Sequence, residues 1–554
     1  MECHQTQKSR KKRLLKRQTT LGIIEQQMKT IGKGTWIDKL TNDIIERELK
    51  LSRNINKINV ESGLGASGIP HIGSLGDSVR AYGVKMALED RGHDSELIAY
   101  SDDMDGLRKI PEGFPETLRD ELGKPVSSID DPFGCHSSYG EHMSALLLDG
   151  LDKLNIEYTF KSATKIYQEG TLSEQTSTIL KNSEIIGKKI AEITGQTKFE
   201  KLLPYYPVCD SCKKIYVTVP TEFDQEKDII YYICKDVEIG GNLIKGCKHE
   251  GKTSLSDGKG KLGWKVEFAA RWSALDIRFE AYGKDIEDSV KINDWISGNV
   301  LDHAHPFHVR YEMFLDKSGK KISKSIGNVL TPQKWLEYGT PASLLLLMFK
   351  RIAGARTLSV EDIPTYMDEV DVVEDIYFNK IMSENKDKTI RMKGLYEYVN
   401  HLNPPKKESI HLPYRLLVEL AEIAPEDNSI EYISKKLVEY QYVKEIDDNI
   451  LHRIKLGINW ARDFKADTMG NVDVLDEHKK PLLEIVKLLE KNSDPDVIQS
   501  EIFEIAKSND MKPRMLFQLM YKILLGSNKG PRLGKYIIDT DKSKIIKKIK
   551  SVIE

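Results

Sequence analysis

The sequence has no apolar run long enough to cross a bilayer. Its longest run, Ala342 to Phe349, has eight residues and is interrupted by Ser343, whereas a membrane helix needs about 20 apolar residues. The first residues also lack the apolar core of a secretory signal. We therefore expect a cytoplasmic protein that has no membrane partner.

Glycine and proline are also scarce. A chain of 554 residues contains only 38 glycines and 20 prolines, while 40% of its residues are hydrophobic. This composition excludes collagen-like and broadly disordered proteins. At roughly 150 residues per domain, the length predicts about three or four globular domains.

Cysteine is rare as well, and its few copies are crowded together. Of six cysteines, four lie between positions 209 and 247, which does not resemble a disulfide framework and favours a reducing compartment. Cys209 and Cys212 form a CxxC knuckle that is followed by Cys234, Cys247 and His249. This spacing is typical of a tetrahedral structural zinc site. The fourth ligand is either Cys234 or His249, and the alternative is a set of buried thiols in a degenerate module.

The positive charge is concentrated at the N-terminus. The net charge is -2, yet residues 1–33 hold nine Lys and Arg against Glu2 and Glu25. We interpret residues 1–33 as a solvated basic arm. Weak attraction to polyanions is the alternative function of such an arm.

The first half of the chain alternates between strand and helix patterns. Residues 56–60 predict a strand that runs into the glycine-rich stretch 61–68, and the apolar spacing after His71 predicts a helix that stops near Gly92. A second strand at 96–100 ends in the acidic turn SDDMDG. This alternation predicts a doubly wound parallel sheet, in which ligands gather at the carboxyl ends of the strands.

The pattern weakens after residue 150 and resumes with WKVEF (264–268) and FHVRYEMFLD (307–316), which we interpret as further strands. Helical periods dominate beyond residue 350. The fold class is therefore α/β, a Rossmann-type parallel sheet split by a zinc-bearing insertion and followed by an all-helical C-terminal domain. The predicted segments are the arm (1–33), first sheet half (34–150), insertion (151–262), second sheet half (263–350) and helical domain (351–554).

Two loops carry the residues best suited to phosphate chemistry. In SGIPHIGSL (67–75), His71 and two glycines stand where a strand loop becomes a helix N-terminus, which offers N–H groups and a positive dipole end to phosphate. In GKKISKSIGN (319–328), Lys321 and Lys324 flank Ser323. Such a loop can fold over a triphosphate and neutralise its developing charge. Taken alone, a histidine in a glycine-rich loop more often makes structural hydrogen bonds. A lysine-rich loop, taken alone, is usually a solvent-exposed turn.

Together the loops resemble the two signatures of class I aminoacyl-tRNA synthetases, usually written HIGH and KMSKS, here HIGS (71–74) and KISKS (321–325). Further segments resemble the class I lysyl-tRNA synthetase family: ESGLGASGIPHIGSLGD, SDDMDGLRK, WKVEFAARW, YEMFLDKSGKKISKS and GPRLG. These matches run from about residue 55 to residue 535. A nucleotidylyltransferase acting without tRNA would share the loops but would need neither the helical domain nor the insertion.

The resemblance implies that L-lysine attacks the α-phosphate of ATP, and that the lysyl group of the adenylate then passes to the 3′ end of tRNA(Lys). Magnesium accompanies the ATP, and DNA is not an expected partner. By match to the signatures, His71, Lys321 and Lys324 are the catalytic residues. The same match implies ATP binding by Ser67, Gly68, His71, Gly73, Ser323 and Lys324.

The family also implies a lysine pocket. Its residues here are Gly63, Gly65, Asp77, Trp264 and Tyr311. A buried ammonium needs a carboxylate and benefits from aromatic faces, although Asp77 could equally be an exposed helix residue and the aromatic pair could be core. The chain departs from its relatives at Ile286, where they carry a histidine. Either an aliphatic wall replaces that histidine, or activity is reduced.

Two further features have two interpretations each. Asp102, Asp103 and Asp105 resemble a metal- or ribose-binding turn, but such residues commonly cap helices. Lys529, Arg532, Lys535 and the terminal lysine face could contact an RNA backbone or simply be solvated. The zinc module would contact the tRNA acceptor end. For the whole chain, the alternatives are a class I synthetase for another amino acid, such as glutamate, and a noncatalytic tRNA-binding paralogue.

Overall fold

A computed structural model describes residues 31–239, 241–312, 314–316, 330–352, 354, 356–382, 385–464, 474–526, 528 and 530–553. Its strands are β1 (Asn59–Leu64), β2 (Leu97–Ser101), β3 (Thr159–Ser162), β4 (Tyr205–Pro207), β5 (Thr218–Asp224), β6 (Ile229–Cys234), β7 (Val237–Ile239), β8 (Asn242–Ile244), β9 (Glu250–Ser254), β10 (Gly260–Leu262), β11 (Ile277–Gly283), β12 (Phe307–Tyr311), β13 (Phe314–Leu315) and β14 (Arg356–Thr357).

The helices fall into two sets. Those of the first 350 residues are α1 (Trp36–Lys50), α2 (Ile72–Glu89), α3 (Tyr139–Lys153), α4 (Ala163–Gln168), α5 (Ser173–Lys181), α6 (Ser183–Thr194), α7 (Trp264–Ala274), α8 (Glu287–Asn299), α9 (Pro332–Leu336) and α10 (Pro341–Phe349). The later ones are α11 (Ile363–Tyr377), α12 (Lys386–Val399), α13 (Tyr414–Ile423), α14 (Ser429–Glu439), α15 (Asp448–Asp463), α16 (Asp476–Lys491), α17 (Pro495–Ser508), α18 (Pro513–Leu525), α19 (Leu533–Asp539) and α20 (Lys542–Ile553).

A five-stranded parallel sheet in the order β12-β11-β1-β2-β3 forms the centre of the first half. The strand predicted at 56–60 begins later, at Asn59, and continues to Leu64 through the glycine-rich stretch. The reason is its central position, because β1 finds hydrogen-bonding partners in both β2 and β11. The predicted helix after His71 is confirmed as α2, and Gly92 adopts a positive φ of 85° just beyond it.

Two boundaries of the sheet differ from the sequence prediction. Trp264–Ala274 is helix α7 rather than a strand, because Trp264, Phe268 and Trp272 recur every four residues and their rings pack at centroid distances of 6.0 and 6.1 Å. Strand β3 lies inside the segment predicted as insertion, and it pairs with β2. Only Ser162 of its four residues is buried, so the strand carries little apolar pattern. The segment that interrupts the sheet therefore follows Ser162.

The segment between β3 and α7 forms a separate layer. It contains helices α4 to α6, the antiparallel sheet β5-β6-β9, and the antiparallel pairs β7-β8 and β4-β10. Its four cysteines lie at the start of β5-β6-β9 and in the adjoining turns. Cys209 and Cys234 pack in one apolar cluster with Ala66 and Leu107, so this layer lies against the segments that follow β1 and β2.

The C-terminal region is helical, as the apolar periods predict. One apolar core runs from Ile37 to Trp460 and includes the parallel sheet, while a second runs from Leu412 to Ile549. Helix α13 contributes Tyr414 and Val418 to the first core and Leu416 and Leu417 to the second. The boundary predicted at residue 351 therefore lies within the first core. Among the described residues, no helix is long and apolar enough to span a membrane.

Candidate active site and metal centres

His71 caps helix α2 at the carboxyl end of the sheet. The cap residue has extended backbone (φ -124°, ψ 173°), and its Nδ1 accepts hydrogen bonds from the N–H groups of Gly73 (3.0 Å) and Ser74 (3.2 Å). Because Nδ1 accepts, the proton of the neutral ring resides on Nε2. The side chain is therefore fixed as a donor through Nε2, and the ring is buried, with the residue only 9% exposed.

The N–H groups of this helix terminus all have acceptors within the protein, which corrects the expectation that they would hold phosphate. Ile72 donates to the carbonyl of Leu330 (2.9 Å), and Leu75 donates to the carbonyl of His71 (3.1 Å). Gly73 and Ser74 donate to the His71 ring. The positive end of the α2 dipole is therefore covered by the His71 imidazole rather than ending in unpartnered amides.

Gly73 is a requirement of this cap. A Cβ at position 73 would lie 2.7 Å from Cε1 and 2.8 Å from Nδ1 of His71, so any side chain would displace the ring. The predicted role of Gly73 under the nucleotide remains a prediction, and the structure adds a packing reason for the residue.

The hydrogen bond from Ile72 to Leu330 places Leu330, which follows the second signature loop in the sequence, beside the first signature. Leu330 is buried and is the first described residue after segment 317–329. Lys321, Ser323 and Lys324 themselves lie outside the described residues. Ser67 is exposed and Gly68 is buried beside the first signature, where the Tyr139 hydroxyl donates to the carbonyl of Ser67 (3.2 Å).

Asp77 lies near the start of α2, with only 22% of its side chain exposed. Its Oδ1 is 3.8 Å from Nη1 of Arg80, and the Arg80 guanidinium lies 4.1 Å over the ring of Tyr311. Burial raises the pKa of Asp77 to about 7, opposed by Arg80 and by a hydrogen bond with Tyr311. The structure thus brings together two of the predicted lysine-binding residues. It also adds Arg80, which the sequence argument missed because one arginine in a helix carries no distinguishing signal.

Two further carboxylates influence Asp77. The carboxylates of Glu280 and Asp285 add to the rise in its pKa, whereas Arg80 alone among its main influences is a cation. Gly63, at the end of the neighbouring strand, has no atom within 4 Å of the position that a Cβ would occupy. Open space therefore lies beside this strand end, where the resemblance places Gly63 and Gly65.

Trp264 lies in a different environment from Tyr311. It packs with Phe268 against an aromatic cluster that also contains Trp272 and Tyr282, and Ile286 packs against the same cluster. Ile286, where the family resemblance implies a histidine, thus lies at an apolar site. The predicted lysine-binding role of Trp264 remains a prediction.

A buried charge network under the strand ends was not foreseen from the sequence. Arg271 on α7 lies 2.6 Å from Glu61, 3.3 Å from Glu280 and 3.7 Å from Asp102. All four residues are at most 9% exposed. The network joins the middle of β1 and the middle of β11 to the residue that directly follows β2. Its members come from four separate segments, so only tertiary structure reveals it.

The three aspartates of the SDDMDG turn each have protein partners. Asp103 accepts from the N–H (2.8 Å) and hydroxyl (2.9 Å) of Thr164 at the start of α4. Asp105 contacts Lys261 at 2.7 Å and Arg108 at 3.1 Å. Asp102 faces Arg271, and burial raises its pKa to about 7. These contacts favour the helix-capping and ion-pairing reading over a metal site.

The four cysteines of the intervening layer converge. The Sγ atoms of Cys209, Cys212, Cys234 and Cys247 all lie within 4.8 Å of one another, with Cys209–Cys247 at 3.6 Å and Cys212–Cys234 at 3.7 Å. Zinc–sulfur bonds of about 2.3 Å in a tetrahedron give sulfur separations of about 3.8 Å. The geometry therefore fits one tetrahedral metal ion, and the group contains Cys234 rather than His249.

A second group of ligand-type side chains was missed. Asp131, Cys135, His136 and His142 place one ligand atom each within 4.8 Å of the others. Nδ1 of His142 is 3.2 Å from the Cys135 sulfur, 3.3 Å from Nδ1 of His136 and 3.3 Å from Oδ2 of Asp131. Two ring nitrogens and a thiol facing one point suit a zinc-type cation. In the sequence, the only signal of this group is the spacing Asp-x-x-x-Cys-His with a further His six residues later.

Comparison with known proteins identifies the family. A sequence model described as "tRNA synthetases class I (K)" matches residues 34–402, about two thirds of the chain. A lysine–tRNA ligase from Cenarchaeum symbiosum (strain A) is 52% identical over 93% of this chain and 98% of its own length. The chain belongs to the class I lysyl-tRNA synthetase family. The resemblance drawn from the two signature loops is thus confirmed.

Other relatives extend this match. A lysine–tRNA ligase from Rickettsia felis is 32% identical over 87% of this chain and 90% of its own length. Among solved structures, a glutamate tRNA ligase from Elizabethkingia meningosepticum aligns over 90% of this chain and 99% of its own, at 10% identity and a TM-score of 0.32. The structural likeness is too low to support any argument about this chain.

The basic residues near the C-terminus are engaged with carboxylates. Arg532 pairs with Asp496 (2.8 Å), Lys535 with Glu439 (3.5 Å) and Lys544 with Glu422 (2.8 Å). Lys548, expected on a solvated face, is only 10% exposed and lies 3.6 Å from Glu419, because α20 packs on α16 and α18. Lys529 is outside the described residues. An RNA backbone would have to compete with these ion pairs.

Proposed function

We propose that the chain is a lysine–tRNA ligase, which activates L-lysine with ATP and transfers the lysyl group to the 3′ end of tRNA(Lys). One observation carries the proposal above the others. The chain aligns with a lysine–tRNA ligase over nearly the full length of both proteins at 52% identity. The arrangement of His71 and Asp77 at the carboxyl end of the sheet supports the same chemistry.

The chemistry needs positioning and charge stabilisation more than a nucleophilic side chain. The lysine carboxylate attacks the α-phosphate of ATP, an anhydride bond to the β-phosphate breaks, and pyrophosphate leaves. Negative charge grows on the phosphate oxygens during this displacement. His71 donates from Nε2 to such an oxygen, since its Nδ1 is held by Gly73 and Ser74. We assign Lys321 and Lys324 to the same charge, with Ser67, Gly68, Gly73 and Ser323 in the nucleotide site.

Asp77 and Tyr311 form the proposed receptor for the lysine side chain. An ammonium placed beside Asp77 stabilises its carboxylate in a buried setting, where isolated charges are costly. Arg80 is already stacked on Tyr311, so it fixes the ring and limits the space near Asp77. Gly63 and Gly65 supply the neighbouring backbone wall. Trp264 keeps its assignment from the family resemblance alone.

The metal-ligand groups have a proposed structural role. The four cysteines would hold one zinc ion, which would cross-link the turns around β5 and β6. The group at Asp131, Cys135, His136 and His142 would hold a second ion and fix the loop before α3. Neither ion takes part in the reaction. Magnesium would accompany ATP as part of the substrate complex.

The charge around Asp77 also separates the main proposal from its alternatives. A glutamate-specific pocket would need a cationic group to receive a carboxylate, whereas Arg80, the cation beside Asp77, already faces that carboxylate and is stacked on Tyr311. Glu280 and Asp285 add further negative charge near Asp77. A noncatalytic tRNA-binding paralogue would not need His71 held as a donor. Both observations favour lysine activation.

The experiment is amino-acid-dependent ATP–pyrophosphate exchange with all twenty amino acids, with and without tRNA(Lys). We expect exchange with lysine. Exchange with a different amino acid and none with lysine would end the lysine assignment. No exchange with any amino acid, in the presence of tRNA, would favour the noncatalytic alternative. If Lys324→Ala retained full exchange, the mechanism would be wrong, since losing such a donor costs about 2–4 kcal/mol of barrier.

A further inference from the structure

Among the described residues, a further group of ligand-type side chains lies at β12, the edge strand of the parallel sheet. Asp294 on α8, His308 on β12 and His305 in the loop before β12 each place one ligand atom within 4.8 Å of the other two. Oδ1 of Asp294 is 2.9 Å from Nε2 of His308 and 3.6 Å from Nδ1 of His305. A ligand bound to all three would therefore join a helix, a loop and a strand.

The hydrogen bonds of His308 leave one acceptor facing another. Its Nδ1 lies 3.1 Å from the carbonyl of Glu280 on β11. A carbonyl can only accept, so the proton of the neutral ring resides on Nδ1. Nε2 then presents a lone pair to the carboxylate of Asp294 at 2.9 Å. Two acceptors at this distance repel each other unless a proton or a metal ion lies between them.

A metal ion accounts for more of this arrangement than a proton does. A proton on Nε2 of His308 would satisfy only His308 and Asp294. His305 donates from Nδ1 to the carbonyl of Pro306 (2.8 Å), so its neutral ring also keeps a lone pair, on Nε2. The two rings are nearly parallel, with centroids 5.5 Å apart, and protons on both would place like charges together. One cation can accept electron pairs from both rings and from the carboxylate.

The donor set and the spacing suit a divalent transition metal. Metal–ligand bonds of about 2.1 Å that meet at about 90° separate the ligand atoms by about 3.0 Å, close to the 2.9 Å between His308 and Asp294. Imidazole nitrogens favour ions such as zinc and nickel over magnesium and calcium, which prefer oxygen. The side chains of His305 and Asp294 are 41% and 28% exposed, so water can supply the remaining ligands.

Contacts around the group hold its members in place. The carbonyl of Glu280 fixes the ring of His308, and such an outer contact commonly orients a metal-binding histidine. The ring of Trp272 packs on that of His308 with centroids 4.9 Å apart. Arg47, the nearest guanidinium to the loop, donates to the carbonyl of His305 (2.6 Å). Arg47 thus anchors the backbone of a ligand residue through that carbonyl.

We propose that Asp294, His305 and His308 bind one divalent transition-metal ion through a carboxylate oxygen and two imidazole nitrogens, with water completing the coordination. The ion cross-links α8, the loop before β12 and β12 itself, and so fixes the edge strand of the parallel sheet. This site is additional to the two groups that contain cysteine. It does not depend on the proposed function.

The test is a count of metal bound by the full chain. The protein is loaded with zinc, freed of excess metal by gel filtration and dialysed against cobalt chloride. Bound zinc plus cobalt should be one equivalent higher in the unaltered chain than in Asp294→Asn or His305→Gln. The cobalt that these variants lose should lack the intense absorption of thiolate-to-cobalt charge transfer, because the site has only nitrogen and oxygen ligands.

Asp302→Asn is the matched control. It removes an exposed carboxylate from the loop before β12, and asparagine tolerates the positive φ of 48° at this position. This variant should bind as much metal as the unaltered chain. His305→Gln changes a side chain that is 41% exposed, so it keeps the test available if Asp294→Asn fails to fold.

Three results would overturn the inference. In the first, the unaltered chain binds no more metal than Asp294→Asn and His305→Gln, which would leave a proton between His308 and Asp294. In the second, the cobalt that the variants lose shows thiolate charge-transfer absorption, which would place it at a group that contains cysteine. In the third, Asp302→Asn loses the same equivalent, which would make the effect one of general charge.

Discussion

At the scale of single residues, the helix-capping role of His71 and its proposed catalytic role depend on different ring nitrogens. Nδ1 closes the N-terminus of α2, and in the proposed mechanism the Nε2 proton is the one that is donated to the substrate. Asparagine is a good N-cap residue and can accept from the same amides, but it lacks a donor at the position of Nε2. A substitution of His71 by asparagine should therefore preserve the cap of α2 and remove the proposed proton donor.

His71→Asn should reduce kcat for lysine activation by about 10²- to 10³-fold, the loss expected for one donor to a developing oxyanion. Its thermal unfolding midpoint should stay close to that of the unaltered chain. His71→Ala should lose the same activity and about 1 kcal/mol of stability besides, because the cap is gone. Equal activity of His71→Asn and the unaltered chain would show that His71 is only a cap.

Asp77 gives a prediction of pH dependence. Burial raises its pKa to about 7, so the carboxyl is largely protonated at pH 6 and largely ionised at pH 8. Only the ionised form attracts an ammonium. The KM for lysine should therefore fall about tenfold between pH 6 and pH 8, since one pKa unit corresponds to a tenfold change.

The matched control is Asp77→Asn, in which the KM for lysine should be high and flat across this range. Steady-state exchange kinetics at a series of pH values measure both. A pH profile that is the same in the two proteins would show that Asp77 does not receive the lysine side chain.

At the scale of elements, the sequence predicted the order of the site segments but not all of their forms. The glycine loop, the helix after His71 and the strand at 97–101 follow from local periodicity. WKVEF was misread because alternation of large apolar residues over five positions suits a strand and a helix alike, and only the longer repeat through Trp272 favours the helix. The Arg271 network and Arg80 could not be predicted, since pairing between distant segments leaves no local pattern.

The four cysteines between β3 and α7 give a prediction about the zinc content of the protein. Cys234→Ser should reduce the bound zinc by one equivalent. The thermal unfolding transition that occurs at the lowest temperature should also move to a lower temperature, because metal binding contributes directly to folding of such a module. His249→Ala should leave the metal content unchanged, since the structure groups Cys234 with the other three cysteines. Metal analysis and calorimetry of both variants provide the readout. Zinc loss in His249→Ala but not in Cys234→Ser would reverse the ligand assignment.

At the scale of the whole molecule, the apolar core around the parallel sheet extends beyond the residues that the family sequence model matches. The match stops at residue 402, but Tyr414, Val418, Leu456 and Trp460 complete the core that surrounds the parallel sheet. Trp460 is fully buried and its ring meets that of Tyr338 at 5.6 Å. The helical region is thus both a unit with its own core and a wall of the catalytic half.

A chain cut after residue 402 should therefore be unstable. It would expose the apolar surface that α13 and α15 cover, and removal of each large core side chain typically costs about 3–5 kcal/mol. We expect poor solubility of this fragment and no cooperative thermal unfolding. As a control, Trp460→Phe in the full chain should lower the midpoint temperature of unfolding only modestly. A soluble fragment 31–402 with a sharp transition near that of the full chain would contradict this account of the core.

The occupied amides at the start of α2 also bear on inhibitor design. A compound that presents a carboxylate or sulfonate to this helix end would find the Ile72 to Leu75 donors already committed to Leu330 and His71. Binding affinity should depend instead on a hydrogen-bond acceptor directed at the Nε2–H of His71. In the proposed mechanism, a negative group in place of the phosphate of an adenylate mimic would be met by Lys321 and Lys324 and by Nε2 of His71, and not by these amides.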